Sequence, residues 1–327
     1  MDENINKGHI KDVNNRMIFK NHILCAQFLR DYSDIEILKD VMPEDIIDDT
    51  QKYHAYLGVE FEDDTVKRIR INGMPVPIFV ISLIEHKSDV DYNIAMQLLR
   101  YMALIWDAYG KEQNENGLGN PRNQSYKYPP IIPIVYYEGS NKWTAGLHLQ
   151  DRIYMSEIFK EYMPDFKYKL VEIRSYTNDE LIAHDDEMSV FMMLNKIQTV
   201  EDLNNFIHTN SDRISAIINN ANESVINTFL GVVWNLYMKL NVPPDEAERN
   251  LENVRDGKMG YWFENMEKMD IQAERRNTAE ARAALEAEKA KVQELENELD
   301  TANQELNNKN QEVRRLKELL IKNGITV

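Results

Sequence analysis

Two acidic segments and a lysine are placed where they could hold a metal ion and act on a phosphate ester. Glu85 and Lys87 follow the apolar run of residues 76 to 84, and an acidic triplet at 62 to 64 precedes the strand-like segment 65 to 71. Residues two apart on a strand project to the same face, so Glu85 and Lys87 share one side. Carboxylates suit hard divalent cations, and a cationic group can orient or deprotonate an attacking water. The set indicates metal-assisted phosphodiester hydrolysis, although an acid followed by Glu-x-Lys also occurs as a surface salt bridge.

The elements around this set predict a mixed sheet with helices. The run 76 to 84 is rich in Val, Ile and Phe, which is typical of a strand buried on both faces. Asn72-Gly73 before it supplies a hairpin turn. In chain order, the sequence predicts helices at 16–32 and 91–109, strands at 53–60, 65–71, 76–84, 131–137 and 168–173, a polar loop at 111–128, and helical structure from 177 to 266.

Composition limits the class of protein. The chain has 327 residues, of which 43% are hydrophobic and 28% are charged, enough for one large or two modest domains and an extension. A formal net charge of −17 argues against a broad basic surface, so any nucleic-acid contact must be local. The sequence has no apolar run long enough to span a membrane and no signal-peptide core, which predicts a cytoplasmic protein without membrane contact. The single cysteine, Cys25, lies in an apolar stretch and is expected in the core.

Residues 267 to 327 differ in composition from the rest and predict a coiled coil. Leucine or valine recurs every seven residues from Leu285 to Leu320, which is the spacing of a coiled-coil seam. Glu288 and Lys309 interrupt the seam and leave a solvated single helix as the alternative, although a polar seam residue can also set register or oligomeric state. Residues 275–323 are therefore expected to join the chain into a homodimer or a higher oligomer.

Several stretches match one known family, in that family's order. The strongest is LIEHKSDVDYNIAMQLLRY at 83–101, in which Glu-His-Lys follows a strand and a Gln-x-x-x-Tyr motif follows on a helix. The others are FK at 19–20, FLRDY at 28–32, PPIIPIVYYEG at 129–139 and YMPDFKYKLVEI at 162–173. Together they resemble the recombination-promoting nuclease family, which is transposase-like and is a bacterial branch of the PD-(D/E)XK nuclease superfamily.

This resemblance implies a set of metal ligands. Asp64 and Glu85 are expected to bind Mg²⁺ or Mn²⁺, with the carbonyl oxygen of His86 as a third ligand. The ring of His86 is expected to have a packing role. The spacing does not settle whether Asp63 or Asp64 is the ligand; Asp64 is preferred because it directly precedes the strand.

The resemblance also implies groups that act on the substrate. Lys87 is expected to position or activate the water and to stabilise charge that develops on the phosphate. Gln97 and Tyr101, which share one face of a helix, would brace the site or touch the DNA backbone. The alternative for this pair is a polar edge on a core helix.

Two positions depart from the family's pattern. Family members usually carry an acidic residue in the first helix just before the Phe-Lys pair, where this chain has Asn15 or Arg16. The family's Tyr-His-Gly after the later strand is Tyr-Glu-Gly here, at 137–139, and Glu138 is expected to be a solvated turn residue. The missing helix acid leaves open a catalytically inactive member.

The expected fold class is α/β, with three parts. A PD-(D/E)XK, restriction-endonuclease-like core with a mixed sheet flanked by helices is expected at 1–175, a helical subdomain at 176–266 and a coiled-coil oligomerisation helix at 267–327. The resemblance implies a metal-dependent DNA endonuclease associated with recombination or mobile elements. An RNA-acting or defence-related nuclease would use the same chemistry. The alternative is a catalytically inactive interaction protein that assembles as a scaffold through its coiled coil.

We predict that the full-length protein is at least a dimer in solution. Pairing of the helix would bury the leucine and valine side chains of the seam, each contributing about 1.5–3 kcal/mol if fully covered. Light scattering at micromolar concentration should show a dimer for the full chain and a monomer for a version that ends at Glu274. A monomeric full chain would refute the coiled coil, and a dimeric truncated chain would show that the core has its own interface.

Overall fold

The computed structural model of the protein describes residues 7–50, 65–85, 90–139, 141–197, 202, 205–206, 211–239, 242–255, 289, 291–292, 309 and 315. The chain divides into two compact units, Met1–Met269 and Asp270–Val327. In the second unit the described residues are helical and exposed. The strand expected at 53–60 and most of the heptad positions lie outside the described residues.

The described part of the first unit is built on a five-stranded sheet. Its strands lie side by side in chain order: β1 (Ile46–Asp48), β2 (Thr65–Ile69), β3 (Ile78–Glu85), β4 (Ile131–Tyr137) and β5 (Lys169–Glu172). The first three strands pair antiparallel, and β3, β4 and β5 pair in parallel. The chain turns between β2 and β3 at Asn72-Gly73, where Gly73 has a φ of +83° that a side chain would strain.

Helices cover both faces of the sheet. Parallel strands need a long crossover, and a 22-residue helix provides it between β3 and β4. Within the part of the chain that the structure describes, no helix combines the length and the apolar character needed to cross a membrane. The α-helices whose bounds the structure describes are α1 (Lys7–Lys20), α2 (His22–Gln27), α3 (Ile94–Glu115), α4 (Ser156–Phe159), α5 (Asn178–Ala183), α6 (Glu187–Asn195), α7 (Ser211–Asn219), α8 (Glu223–Lys239) and α9 (Pro244–Arg255).

The two faces of the sheet bury different sets of side chains, because neighbouring residues on a strand point to opposite faces. On one face, Ile81 and Val135 belong to a core that includes Leu98 and Ile105 of α3. Tyr137 lies on this face and packs edge-on against Trp143, with ring centroids 4.9 Å apart.

The opposite face packs on α1 and α2. Tyr136 lies edge-on to Phe19, at 5.3 Å between ring centroids, and to Phe28, at 5.6 Å. Such edge-on aromatic pairs are worth about 0.5–1.5 kcal/mol beyond the area that they bury. Cys25 is buried on this side, as expected.

Most of the predicted elements are present, and β4 has the predicted bounds. The helix predicted at 16–32 is wrong as one element, because Asn21 ends α1 and begins α2. The Asn21 side chain accepts hydrogen bonds from the backbone N–H groups of Ile23 and Leu24, as an N-cap residue does. The helix predicted at 91–109 runs instead from Ile94 to Glu115, so the loop after it is shorter than predicted. The three-residue strand β1 was not predicted.

A buried ion pair joins the first two strands. Lys67 is 1% exposed and stands directly opposite Asp48, and its Nζ lies 2.8 Å from Oδ2 of that residue. Burial raises the pKa of the Asp48 carboxyl group, but hydrogen bonds from Lys67 and Thr50 outweigh burial and hold the pKa below its usual value. The carboxylate is therefore ionised at neutral pH and compensates the buried ammonium group.

We predict that Asp48→Asn lowers the free energy of unfolding by about 3 kcal/mol, because the Lys67 ammonium group stays buried without its carboxylate. Urea unfolding at pH 7 measures this loss. Since the folded-state pKa lies below the unfolded value of about 3.9, the advantage of the wild type is present above that pH. It disappears as the pH falls through the folded-state pKa.

The control for this prediction removes both charges. In Asp48→Asn with Lys67→Met, no buried ammonium group remains, so most of the lost stability should return. Equal losses in the single and double variants would contradict the ion-pair explanation.

Candidate functional site

The carboxyl ends of the three parallel strands form one edge of the sheet. Glu85 ends β3 and pairs with Tyr137, which ends β4, and Tyr137 in turn pairs with Glu172, which ends β5. In open α/β sheets, binding sites form beyond the carboxyl ends of the strands. We call the edge defined by Glu85, Tyr137 and Glu172 the carboxyl edge. It is the candidate site of this protein.

The structure describes only part of the predicted metal site. Glu85 is the last residue of β3, and its backbone lies at the carboxyl edge. Its side chain lies outside what the structure describes, as do Asp64, His86 and Lys87. That Asp64, Glu85, His86 and Lys87 come together in one site is therefore still a prediction.

Gln97 and Tyr101 lie near the beginning of α3, four residues apart on one face of the helix. Tyr101 is fully buried and shares a core cluster with Ile81 and Tyr137, while Gln97 is half-buried. Since Tyr137 ends β4, this part of α3 packs behind the carboxyl edge. The structure thus places Tyr101 in the core on the sheet face of Tyr137, with Gln97 one helical turn away, and their role at the site is still a prediction.

A second polar group at this edge was not predicted, and it corrects the expectation for Glu138. This residue is 2% exposed instead of solvated. Its Oε1 accepts hydrogen bonds from Nδ2 of Asn15, at 3.0 Å, and from Nδ2 of Asn195, at 2.7 Å. Nδ2 of Asn195 also donates to Oδ1 of Asn15, at 2.7 Å. We call Asn15, Glu138 and Asn195 the amide–carboxylate cluster.

The amide–carboxylate cluster joins three elements that are distant in the chain. Asn15 belongs to α1, Glu138 follows β4 and Asn195 ends α6. A buried carboxylate is costly unless it is hydrogen-bonded, and the two amide groups supply such bonds. The cluster therefore fixes the end of β4 against both helices. It also brings Asn15, one of the two residues that could stand at the place of the family's helix acid, into contact with Glu138.

The hydroxyl group of Tyr136 lies beside the cluster, next to Glu138 and Asn195. Tyr136 precedes Glu138 by two residues and is fully buried. Burial raises the pKa of the Tyr136 hydroxyl group well above its usual value, and the charge of Glu138 raises it further. The Tyr136 hydroxyl group is therefore protonated at neutral pH and adds no negative charge beside Glu138.

One signal in the sequence could have found this cluster. Asn15 lies three residues before Ile18 and four before Phe19, which are both buried, so it belongs to the buried stripe of α1. An asparagine on such a stripe requires a partner. The partner itself could not be found, because Glu138 is adjacent to Asn15 only in the folded chain.

A cavity of about 410 Å³ between α5 and α6 is a second candidate site. Lys196 is among its lining residues, and its Nζ donates to the carbonyl oxygen of Tyr176 at 2.7 Å and to Oδ1 of Asn178 at 2.9 Å. Burial lowers the pKa of Lys196. The ammonium group of Lys196 is thus occupied by structural hydrogen bonds and is not directed at a ligand. The carboxyl edge is therefore the better candidate.

The predicted ligands suit a hard divalent cation by their chemistry. Carboxylate oxygens from Asp64 and Glu85 and a backbone carbonyl oxygen are donors that Mg²⁺ and Mn²⁺ prefer. Among the side chains that the structure describes, no group of three His, Cys, Asp or Glu residues is arranged to hold a metal. Asp64 and the side chain of Glu85 lie outside those described side chains.

The carboxyl edge falls within a segment that matches a known family. A family model described as "Putative transposase, YhgA-like" matches residues 69–225, which include β3, α3, β4, β5 and α6. No curated protein and no solved structure matches the chain. The match covers slightly less than half of the chain and supports the predicted resemblance to the recombination-promoting nuclease, YhgA-like family. The family's description as a transposase suggests a function related to mobile elements.

Proposed function

We propose that the protein is a metal-dependent DNA endonuclease with a PD-(D/E)XK core. One observation carries the proposal: β2 and β3 form an antiparallel pair that begins directly after Asp64 and ends at Glu85. An acid, a strand, its return strand and then Glu-x-Lys is the order that the sequence resemblance implies. The family's connection with mobile elements supports DNA as the substrate.

Asp64 and Glu85 would hold Mg²⁺ or Mn²⁺, with the carbonyl group of His86 as a further ligand. When bound, such a cation supplies Lewis-acid polarisation of a phosphate oxygen and a more acidic water. Lys87 would orient the attacking water and stabilise the negative charge that grows on the phosphate.

Gln97 and Tyr101 would support this site from α3. The buried ring of Tyr101 holds the helix against the sheet, and the half-buried Gln97 lies one turn closer to the beginning of the helix. From there the Gln97 amide group can brace the ligands or donate to a DNA phosphate. Their role is to fix the geometry in which the cation and the substrate meet.

The register of the hairpin favours Asp64 over Asp63 as the ligand. Thr65 pairs with Ser82, so a continued antiparallel register would place position 64 opposite 83. Position 83 has the same parity on β3 as Glu85, and successive strand residues face opposite sides. Position 64 would therefore share a face with Glu85, whereas position 63 would not.

Oligomerisation through residues 275–323 suits the same proposal. Two sites held in one dimer could cut both strands of a duplex. The net charge of −17 keeps the remaining surface unfavourable for DNA, so contact with the substrate would be confined to the region of the site.

We predict that the purified protein nicks or cuts DNA only when Mg²⁺ or Mn²⁺ is present, and that Lys87→Ala lowers the cleavage rate by about 100-fold or more. Gel assays with plasmid DNA measure both effects. Lys39→Ala is the matched control, because Lys39 is an exposed lysine that pairs with Glu36. If wild type and Lys87→Ala cut equally well, the assigned site is wrong.

We also predict that Asp64→Asn weakens Mn²⁺ binding more than Asp63→Asn does, because in a continued strand only one of two adjacent residues would face Glu85. Calorimetric titration of each variant with Mn²⁺ gives the two affinities. Equal losses would refute the distinction between the two acids.

A further inference from the structure

Glu138 is a buried carboxylate that accepts hydrogen bonds from neutral amide groups. Both Asn15 and Asn195 donate to its Oε1, and hydrogen bonds of this kind stabilise the ionised form of a carboxyl group. A buried charge is costly for folding. A charge retained in this way is a candidate for a functional role.

The position of Glu138 relates it to the proposed cation site. Tyr137 pairs with Glu85 in the parallel register, and Glu138 is the next residue. With about 4.8 Å between strands and about 3.3 Å per residue, the Cα atoms of Glu138 and Glu85 lie about 6 Å apart. Glu138 contacts α1 and α6, on the face of the sheet opposite α3. It is therefore placed to act on a cation through its charge and not as a ligand.

We propose that the negative charge of Glu138, held by Asn15 and Asn195, raises the affinity of the carboxyl edge for a divalent cation. This inference rests on the proposed function, because it places the cation at Glu85. A unit charge at roughly 8–10 Å in a protein interior changes the affinity for a divalent ion by about tenfold or more. Glu138 is thus a positioning residue for the cation, supported by the two amide groups.

The test is calorimetric titration of the full-length protein with Mn²⁺, with no DNA present. Glu138→Gln keeps the shape of the side chain and a carbonyl oxygen that accepts the amide hydrogen bonds, but it removes the charge. The affinity for Mn²⁺ should fall about tenfold or more. Stability to urea without Mn²⁺ should change little, because the glutamine keeps the acceptor for both amide hydrogen bonds. A purely structural role predicts no change in Mn²⁺ affinity.

A second variant returns the charge to the cluster from the other side. In Asn15→Asp with Glu138→Gln, the carboxylate moves to α1 and can accept hydrogen bonds from Asn195 and from the amide group introduced at position 138. The size and total charge of the cluster stay the same. If the charge is what matters, this double variant recovers most of the Mn²⁺ affinity. It also keeps the test decisive if Glu138→Gln alone does not fold, since its affinity can be compared directly with that of the wild type.

Asp186→Asn is the matched control for the loss of a buried carboxylate. Asp186 lies at the other end of α6, where it accepts a hydrogen bond from the Tyr32 hydroxyl group and caps the helix. Its replacement should leave Mn²⁺ affinity unchanged. Normal Mn²⁺ binding by Glu138→Gln, or a folded double variant that binds weakly, would overturn the role of Glu138 alone. A wild type that binds no Mn²⁺ would overturn the proposed function as well.

Discussion

The parallel pairing of β3 with β4 is the constraint on which the rest of the structure depends. Both strands are covered on both faces, so charged side chains are largely confined to the ends of the strands. The parallel direction requires a crossover, and α3 provides it while covering one face. The same direction makes both strands end at one edge. Glu85 therefore pairs with Tyr137, and Glu138 is the next residue after that pair, although the two glutamates are far apart in the chain.

The opposite face depends on satisfied polar contacts as much as on apolar packing. Asn235 donates to Asn14 at 2.7 Å, and Asn21 donates to Thr228 at 3.1 Å, so side-chain hydrogen bonds connect the N-terminal helices with α8. The amide–carboxylate cluster adds the connection to β4. Because each of these groups would be costly if buried without a partner, the helices can occupy few alternative positions on the sheet. Such packing determines the direction in which Glu138 faces.

The sequence predicts what depends on local pattern and fails where burial depends on distant elements. Runs of apolar residues located β3 and β4 because strands buried on both faces have no polar alternation to obscure them. Helical periodicity continues from Ile18 to Phe28, so the pattern does not reveal the break at Asn21. That break arises because the side chain of Asn21 caps the next helix. Glu138 was misjudged because a charged residue before a glycine has the pattern of a turn. Its burial comes from α1 and α6, which no local window includes.

The contact between positions 15 and 138 changes how the departures from the family's pattern are understood. Taken separately, a missing acid in the first helix argues for a catalytically inactive protein, and a glutamate after β4 has no evident purpose. In the fold, Asn15 donates to Glu138 at 3.0 Å, so the amide group and the carboxylate form one unit. Glu138 therefore lies within hydrogen-bond distance of Asn15, one of the two candidates for the place of the helix acid. The two departures are best understood as a coupled change in one polar cluster, because the glutamate after β4 is held by the amide group on α1.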